Sequence, residues 1–154
     1  MLSESIITTR AEWPTLQNNK GLAYFDSAAS TQTHVSVLDR MNQYYEQERC
    51  NANRGDYEIC QKVSGGLERS RVQVSDLLNC KAEQIIFTAG ATHGLNMVAE
   101  WHKDVPVVFI TEAEHTANIL PWIVQGKTIE NGKLQVLPLN DNGVLDIGKA
   151  VKLF

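Results

Sequence analysis

Two short stretches hold the residues whose types and spacing could do chemistry. In the first, Gly90-Ala91-Thr92 follows the apolar run Ile85-Ile86-Phe87-Thr88 and precedes Leu95, Val98 and Ala99 at helical spacing. The run is rich in β-branched and aromatic residues and predicts a buried strand. Gly90 permits a sharp turn, and Thr92 stands where a helix N-cap would stand. Such a turn aims free backbone N–H groups and the positive end of a helix dipole one way, which suits an anion and most often a phosphate. An ordinary strand-to-helix connection has the same pattern, and local sequence leaves both readings open.

The second stretch is Thr111–Trp122, TEAEHTANILPW, which carries His115 with Glu112, Glu114 and Asn118 close by. It follows the apolar run Val105–Ile110, so it falls at the carboxyl end of a strand, the edge where α/β sheets bind ligands. A histidine there can stack on a flat cofactor ring or move protons near neutral pH. A solvated surface histidine is the plainer alternative. His34, His93 and His102 share no metal-ligand spacing with it, so no metal site is expected.

Two further stretches matter less by themselves. Asp26-Ser27-Ala28-Ala29-Ser30 is a tight turn whose small residues allow close approach to the backbone, or simply fill a loop. Cys50, Cys60 and Cys80 are odd in number and contain no CxxC pair, so they outline neither a disulfide framework nor a zinc site. Buried or incidental thiols in a reducing cytoplasm are the expectation.

The elements that must position these residues follow from periodicity. Residues 1–21 read as an N-terminal arm, with a short helix over Arg10–Leu16 that Pro14 confines to a first turn or a break. Leu22–Phe25 predicts a short strand. Val35, Leu38, Met41 and Tyr45 share one face of an amphipathic helix reaching about Glu48. Cys50–Gly55 is a loop. Gln61–Leu78 resumes helical spacing, with Gly65-Gly66 lowering propensity by roughly 1 kcal/mol each, so the helix is expected to start after that pair. Thr92–Trp101 is a helix, Val105–Ile110 and Leu134–Leu139 are strands, Asn140–Gly143 is a turn, and Asp146–Leu153 opens a helix. Strands alternating with helices give an α/β fold, with a mainly parallel sheet and flanking helices.

Composition bounds the function. The chain has 154 residues, is 43% hydrophobic, and carries a formal charge of -4. That is enough for one domain with a core, residues 22–154, and it offers no basic stripe for nucleic acid. No apolar run is long enough for a bilayer, and no secretion signal is visible. No nucleic-acid or membrane partner is therefore expected.

YFDSAAS, NANRG, FTAGATHGLNMVA and EAEHTANILPW occur in the order and spacing of one family. From about Trp13 to Phe154 the chain resembles the N-terminal part of the cysteine desulfurase/selenocysteine lyase family. These are pyridoxal-phosphate enzymes of the class V aminotransferase group, with a fold-type I large domain. The resemblance implies that Gly90, Ala91 and Thr92 bind the phosphate of pyridoxal 5'-phosphate. His115 matches the histidine that stacks on the pyridine ring and assists proton transfers. Asp26, Ala28 and Ala29 match a turn lining the substrate side, and Arg54 a loop arginine that reaches the substrate side in the family dimer. In such an enzyme a thiol takes the sulfur of cysteine as a persulfide and leaves alanine.

Several positions depart from the family pattern. His93 replaces a usual Glu, Asn53 replaces a usual His, and the connection between Met97 and Val107 is several residues short. None of the eight lysines stands in the context of the cofactor lysine, and no cysteine matches the persulfide position. The expectation is a chain truncated before those groups and inactive alone, working as a homodimer or with a complementary C-terminal fragment and a sulfur-acceptor protein. The alternative is a non-catalytic binding or dimerisation module derived from the same fold.

Overall fold

The computed structural model describes residues 10–153, so residues 1–9 of the expected arm lie outside the described residues. The chain forms two compact units, Met1–Ile85 and Ile86–Phe154.

In the first unit, a 3₁₀ turn over Arg10–Glu12 is followed by helix α1, Pro14–Asn18. Pro14 occupies the first helical position, where its missing N–H costs nothing, so the chain breaks at Trp13 and restarts. The Arg10 guanidinium donates to the carbonyls of Asn19 and Leu22, at 2.8 and 2.9 Å. Trp13 meets His34 edge to face, with ring centroids 5.3 Å apart.

Leu22–Phe25 does not form the expected strand, and Phe25 is 94% exposed. Strand propensity needs a neighbouring ladder, and none pairs with this segment among the described residues. Tyr24 spends its hydroxyl locally instead, donating to the carbonyls of Asp26 and Ser30 and so holding the turn between them.

Helix α2, Val35–Gln43, is N-capped by His34 and runs into a wider π turn, Tyr44–Glu48. Helix α3 spans Glu58–Leu78 and passes straight through Gly65-Gly66, where a start had been expected after the pair. Propagation adds a bond per residue once a nucleus exists, so nineteen other positions outweigh two glycines. Between these helices Glu48 is buried at 3% exposure and pairs with Arg40 at 2.7 Å and Lys62 at 2.8 Å. Those two cations hold its carboxyl below the usual carboxylate range, Lys62 most strongly. Asn79 ends α3 in the left-handed conformation, φ 53°, and the N–H of Cys80 closes onto the carbonyl of Ser75.

The second unit opens with Ile86–Thr88, which forms no strand. Ile86 is 55% and Phe87 47% exposed, so the buried strand expected over Ile85–Thr88 is corrected. Among the described residues, the two strands that do form lie later in the chain and pair with each other. β1, Val108–Thr111, runs parallel to β2, Leu134–Leu137, in the register Val108 to Leu134 through Thr111 to Leu137. Helix α4 is Ala91–Trp101, α5 is Thr116–Val124 and α6 is Ile147–Ala150, capped by Asp146. Ala99, Ile110, Pro121, Leu134 and Ala150 are buried apolar residues of this unit. The Asn140–Gly143 turn forms as expected, with the Asn140 side chain accepting from the N–H groups of Asn142 and Val144 at 3.0 Å.

α4 packs against α5, and their C-terminal ends are tied together. Gln125 donates to Glu100 at 2.8 Å. Lys127 is buried at 3% exposure and donates to the carbonyls of Lys103 and Val105, at 2.7 and 2.8 Å. One ammonium thus closes the short α4-to-β1 connection. Each of the two helices carries its N-cap at its other end.

Candidate functional site

Those N-caps are Gly90 and His115. Gly90 adopts φ 152°, ψ 177°, a region open to glycine and strained for any L side chain. The helix ladder begins with Gly94 N–H donating to the Gly90 carbonyl at 3.1 Å, so the N–H groups of Ala91, Thr92 and His93 precede it. A Cβ at Gly90 would meet nothing within 4 Å, so the turn is uncrowded at that point. Thr92, expected as the N-cap, is the second residue of the helix and is exposed. Gly90 takes the cap because its backbone conformation is the one that Ala or Thr adopts only at a cost.

Two side chains pin this turn. Thr88 Oγ1 donates to the Gly90 carbonyl at 3.0 Å. His93 Nδ1 accepts from Ala89 N–H at 3.2 Å, which places its proton on Nε2. The structural part played by His93 had no local sequence signal, since the residue reads only as a departure from a motif.

His115 lies just past the carboxyl end of β1, as the strand-edge reading required. Its Nδ1 accepts from Ala117 N–H at 3.1 Å, which fixes the ring at the head of α5 as the Nε2–H tautomer. The side chain is otherwise exposed. Its acidic neighbours do not serve it. Glu114 accepts from Asn118 Nδ2 at 2.9 Å and from Thr111 Oγ1 at 3.0 Å, bonds that hold its carboxyl below the usual range. Glu112 borders a separate apolar cavity of about 530 Å³, walled by Ile110, Ile119, Ile123, Leu134 and Val136. Neither Gly90–Thr92 nor His115 lines that cavity, so it is not the site the sequence marks.

The remaining candidates belong to the first unit. Asp26 accepts at its carbonyl from Ala29 and Ser30 N–H, at 3.2 and 3.1 Å, which curls Asp26–Ser30 into an exposed turn with Ala28 and Ala29 inside it. Arg54 is exposed in the loop before α3. Asn53 beside it has φ 63° and donates its N–H to Ser64 Oγ at 2.8 Å. Ser64, unmarked in the sequence, therefore fixes the loop that carries Arg54.

Comparison with known proteins adds an independent line. The Aminotransferase class-V family model matches residues 23–154. The cysteine desulfurase SufS of Plasmodium falciparum is 33% identical over 149 residues, covering 92% of this chain and 27% of that protein. A probable cysteine desulfurase of Staphylococcus epidermidis is 38% identical over 136 residues, covering 84% of this chain and 33% of that one. In structure, the apo form of a cysteine desulfurase from Thermococcus onnurineus NA1 superposes with a TM-score of 0.79 at 31% identity, covering 99% of this chain and 38% of the other. The chain thus spans about a quarter to a third of the length of the relatives it matches.

Proposed function

The chain belongs to the class V aminotransferase family, and from that premise we propose that it supplies the phosphate turn and the ring-side histidine of a pyridoxal-phosphate-dependent cysteine desulfurase. The observation that carries this is the Gly90 turn. Three N–H groups, on Ala91, Thr92 and His93, precede the first bond of α4 at its positive end. Those residues fit a phosphate ester. Bound there, pyridoxal 5'-phosphate would supply an electron sink for bond breaking at the substrate's α-carbon.

The chain's own residues have narrower tasks. Gly90, Ala91 and Thr92 bind and orient the phosphate. His115, fixed by its cap bond, offers a flat face to the pyridine ring and a proton at Nε2. Asp26, Ala28 and Ala29 shape the substrate side, and Arg54 brings a guanidinium that suits a carboxylate. The cofactor lysine and the sulfur-accepting cysteine match no residue of this segment, so the chain alone does not turn over cysteine. A homodimer or a complementary C-terminal fragment completes the site, and a cytoplasmic sulfur-acceptor protein receives the product. Membrane and nucleic-acid partners have no part in this reading. In support, no helix among the described residues is long and apolar enough to cross a membrane.

Exposed apolar side chains favour completion by further protein over a self-contained enzyme. Leu77 and Val124 are each 84% exposed, and Ile86, a residue of strand-forming type, is 55% exposed. A binding or dimerisation module would leave the same faces open but would have no use for the Gly90 turn.

The test treats the purified chain with pyridoxal 5'-phosphate and borohydride, then reads intact mass, peptide maps and sulfide release from cysteine. Scattered lysine labelling without sulfide is expected. One stoichiometric adduct on a single lysine together with sulfide release would show an autonomous enzyme and reject the proposal that completion is needed.

A further inference from the structure

Cys50 and Cys60 bracket the Arg54 loop. Cys60 lies in the first turn of α3 at 1% exposure, and its thiol donates to the carbonyl of Asn51, the residue after Cys50, at 3.1 Å. The half-buried Cys50 side chain interacts with both the Cys60 thiol and the Tyr57 hydroxyl. The far side of the loop closes over the same point, since a Cβ on Gly55 would stand 3.3 Å from the Cys60 sulfur. Ser64 Oγ completes the fold-back, accepting from Asn53 N–H at 2.8 Å and donating to the Cys60 carbonyl at 2.7 Å. Cys80 lies beyond the other end of α3, a 21-residue helix and so about 30 Å away along its axis. A disulfide needs Cα atoms within about 7 Å, which leaves Cys80 out.

We propose that Cys50 and Cys60 are a redox modification site, forming a reversible disulfide that clamps the Arg54 loop onto the first turn of α3. The co-reactant is an oxidised low-molecular-weight thiol such as glutathione disulfide. The Cys50 thiolate attacks one of its sulfurs, forming a mixed disulfide and expelling one glutathione thiolate. Cys60 loses its proton and attacks the Cys50 sulfur, forming the protein disulfide and expelling the second glutathione. Two electrons pass from the two cysteines to the glutathione pair, which also takes up both protons. Only Cys50 need meet the oxidant, and its partial exposure allows that. Burial, followed by the neighbouring thiol, pushes the Cys50 thiol up from its ordinary range, so the first step runs slower than at an open thiol. The inference does not depend on the segment holding a cofactor.

The full chain would be incubated with glutathione disulfide under native conditions, alkylated, and mapped by mass without reduction. Cys50→Ser, Cys60→Ser and Cys80→Ser variants would run alongside. Expected are the loss of two hydrogens, a Cys50–Cys60 linked peptide in the wild type and in Cys80→Ser, and reversal by dithiothreitol. Trypsin cleavage after Arg54 should slow by roughly tenfold in the oxidised protein, as a clamped loop opens less often. Linkage to Cys80, or a glutathione adduct that persists on Cys50 with Cys60 left free, would overturn the proposal.

Discussion

Replacing Gly90 by alanine separates the backbone conformation of the phosphate turn from its contacts. A Cβ there meets nothing within 4 Å, so no steric clash contributes. What remains is the cost of holding an L residue at φ 152°, ψ 177°, about 1 to 3 kcal/mol. Alanine also narrows the unfolded ensemble, which returns about 0.4 to 1 kcal/mol. The net destabilisation should therefore be about 1 to 2 kcal/mol by urea unfolding, near a tenfold change in the folded-to-unfolded ratio. Gly21 supplies the control, because it too has open space around its Cβ site but no positive φ. Gly21→Ala should be neutral or stabilising by up to about 1 kcal/mol. If the chain instead relieves the strain by rebuilding the turn, Gly90→Ala keeps its stability and loses the phosphate site. Equal shifts for both glycines, with phosphate binding intact at residue 90, would refute the reasoning.

Other perturbations read different parts of the same unit. Lys127→Met keeps the apolar stem and removes two charge-assisted hydrogen bonds, so it should cost about 2 to 4 kcal/mol in urea unfolding. A loss below about 0.5 kcal/mol would mean that the ammonium does not close the α4-to-β1 connection. His115→Ala should lose a cap of about 1 kcal/mol, whereas His115→Asn keeps the cap and removes only the ring. The pair thus distinguishes stability from cofactor contact. The depressed carboxyl of Glu114 contributes stability that is complete above the ordinary Glu value of about 4.3 and is lost as pH falls through its lower folded value. Glu114→Gln should therefore lower stability in the neutral region, flatten the acid limb and leave the lowest pH little changed, and an unaltered acid limb would count against the Thr111 and Asn118 bonds.

Much of the second unit was legible in the sequence, because α4, β1 and the Asn140 turn each rest on local patterns. The same local logic misled at Ile85–Thr88 and Leu22–Phe25. Composition there favours a strand, but a strand exists only when a neighbour supplies the ladder, and that information lies elsewhere. At Gly65-Gly66 a propensity penalty of about 2 kcal/mol was real but smaller than the gain from the rest of α3. Within the candidate site, Gly90 and His115 could be found from spacing. The residues that hold them could not, because His93, Thr88 and Lys127 act through backbone carbonyls and N–H groups that no side-chain pattern announces.

The most direct test of the phosphate turn is the ¹H–¹⁵N spectrum of the labelled chain during titration with pyridoxamine 5'-phosphate, which forms no imine with lysine. Pyridoxamine, lacking the phosphate, is the comparison. The expected result is a shift of the Ala91, Thr92 and His93 amides with the phosphorylated compound only, abolished in Gly90→Ala. Shifts elsewhere, or the same response to both compounds, would contradict the assignment of the phosphate to the Gly90 turn.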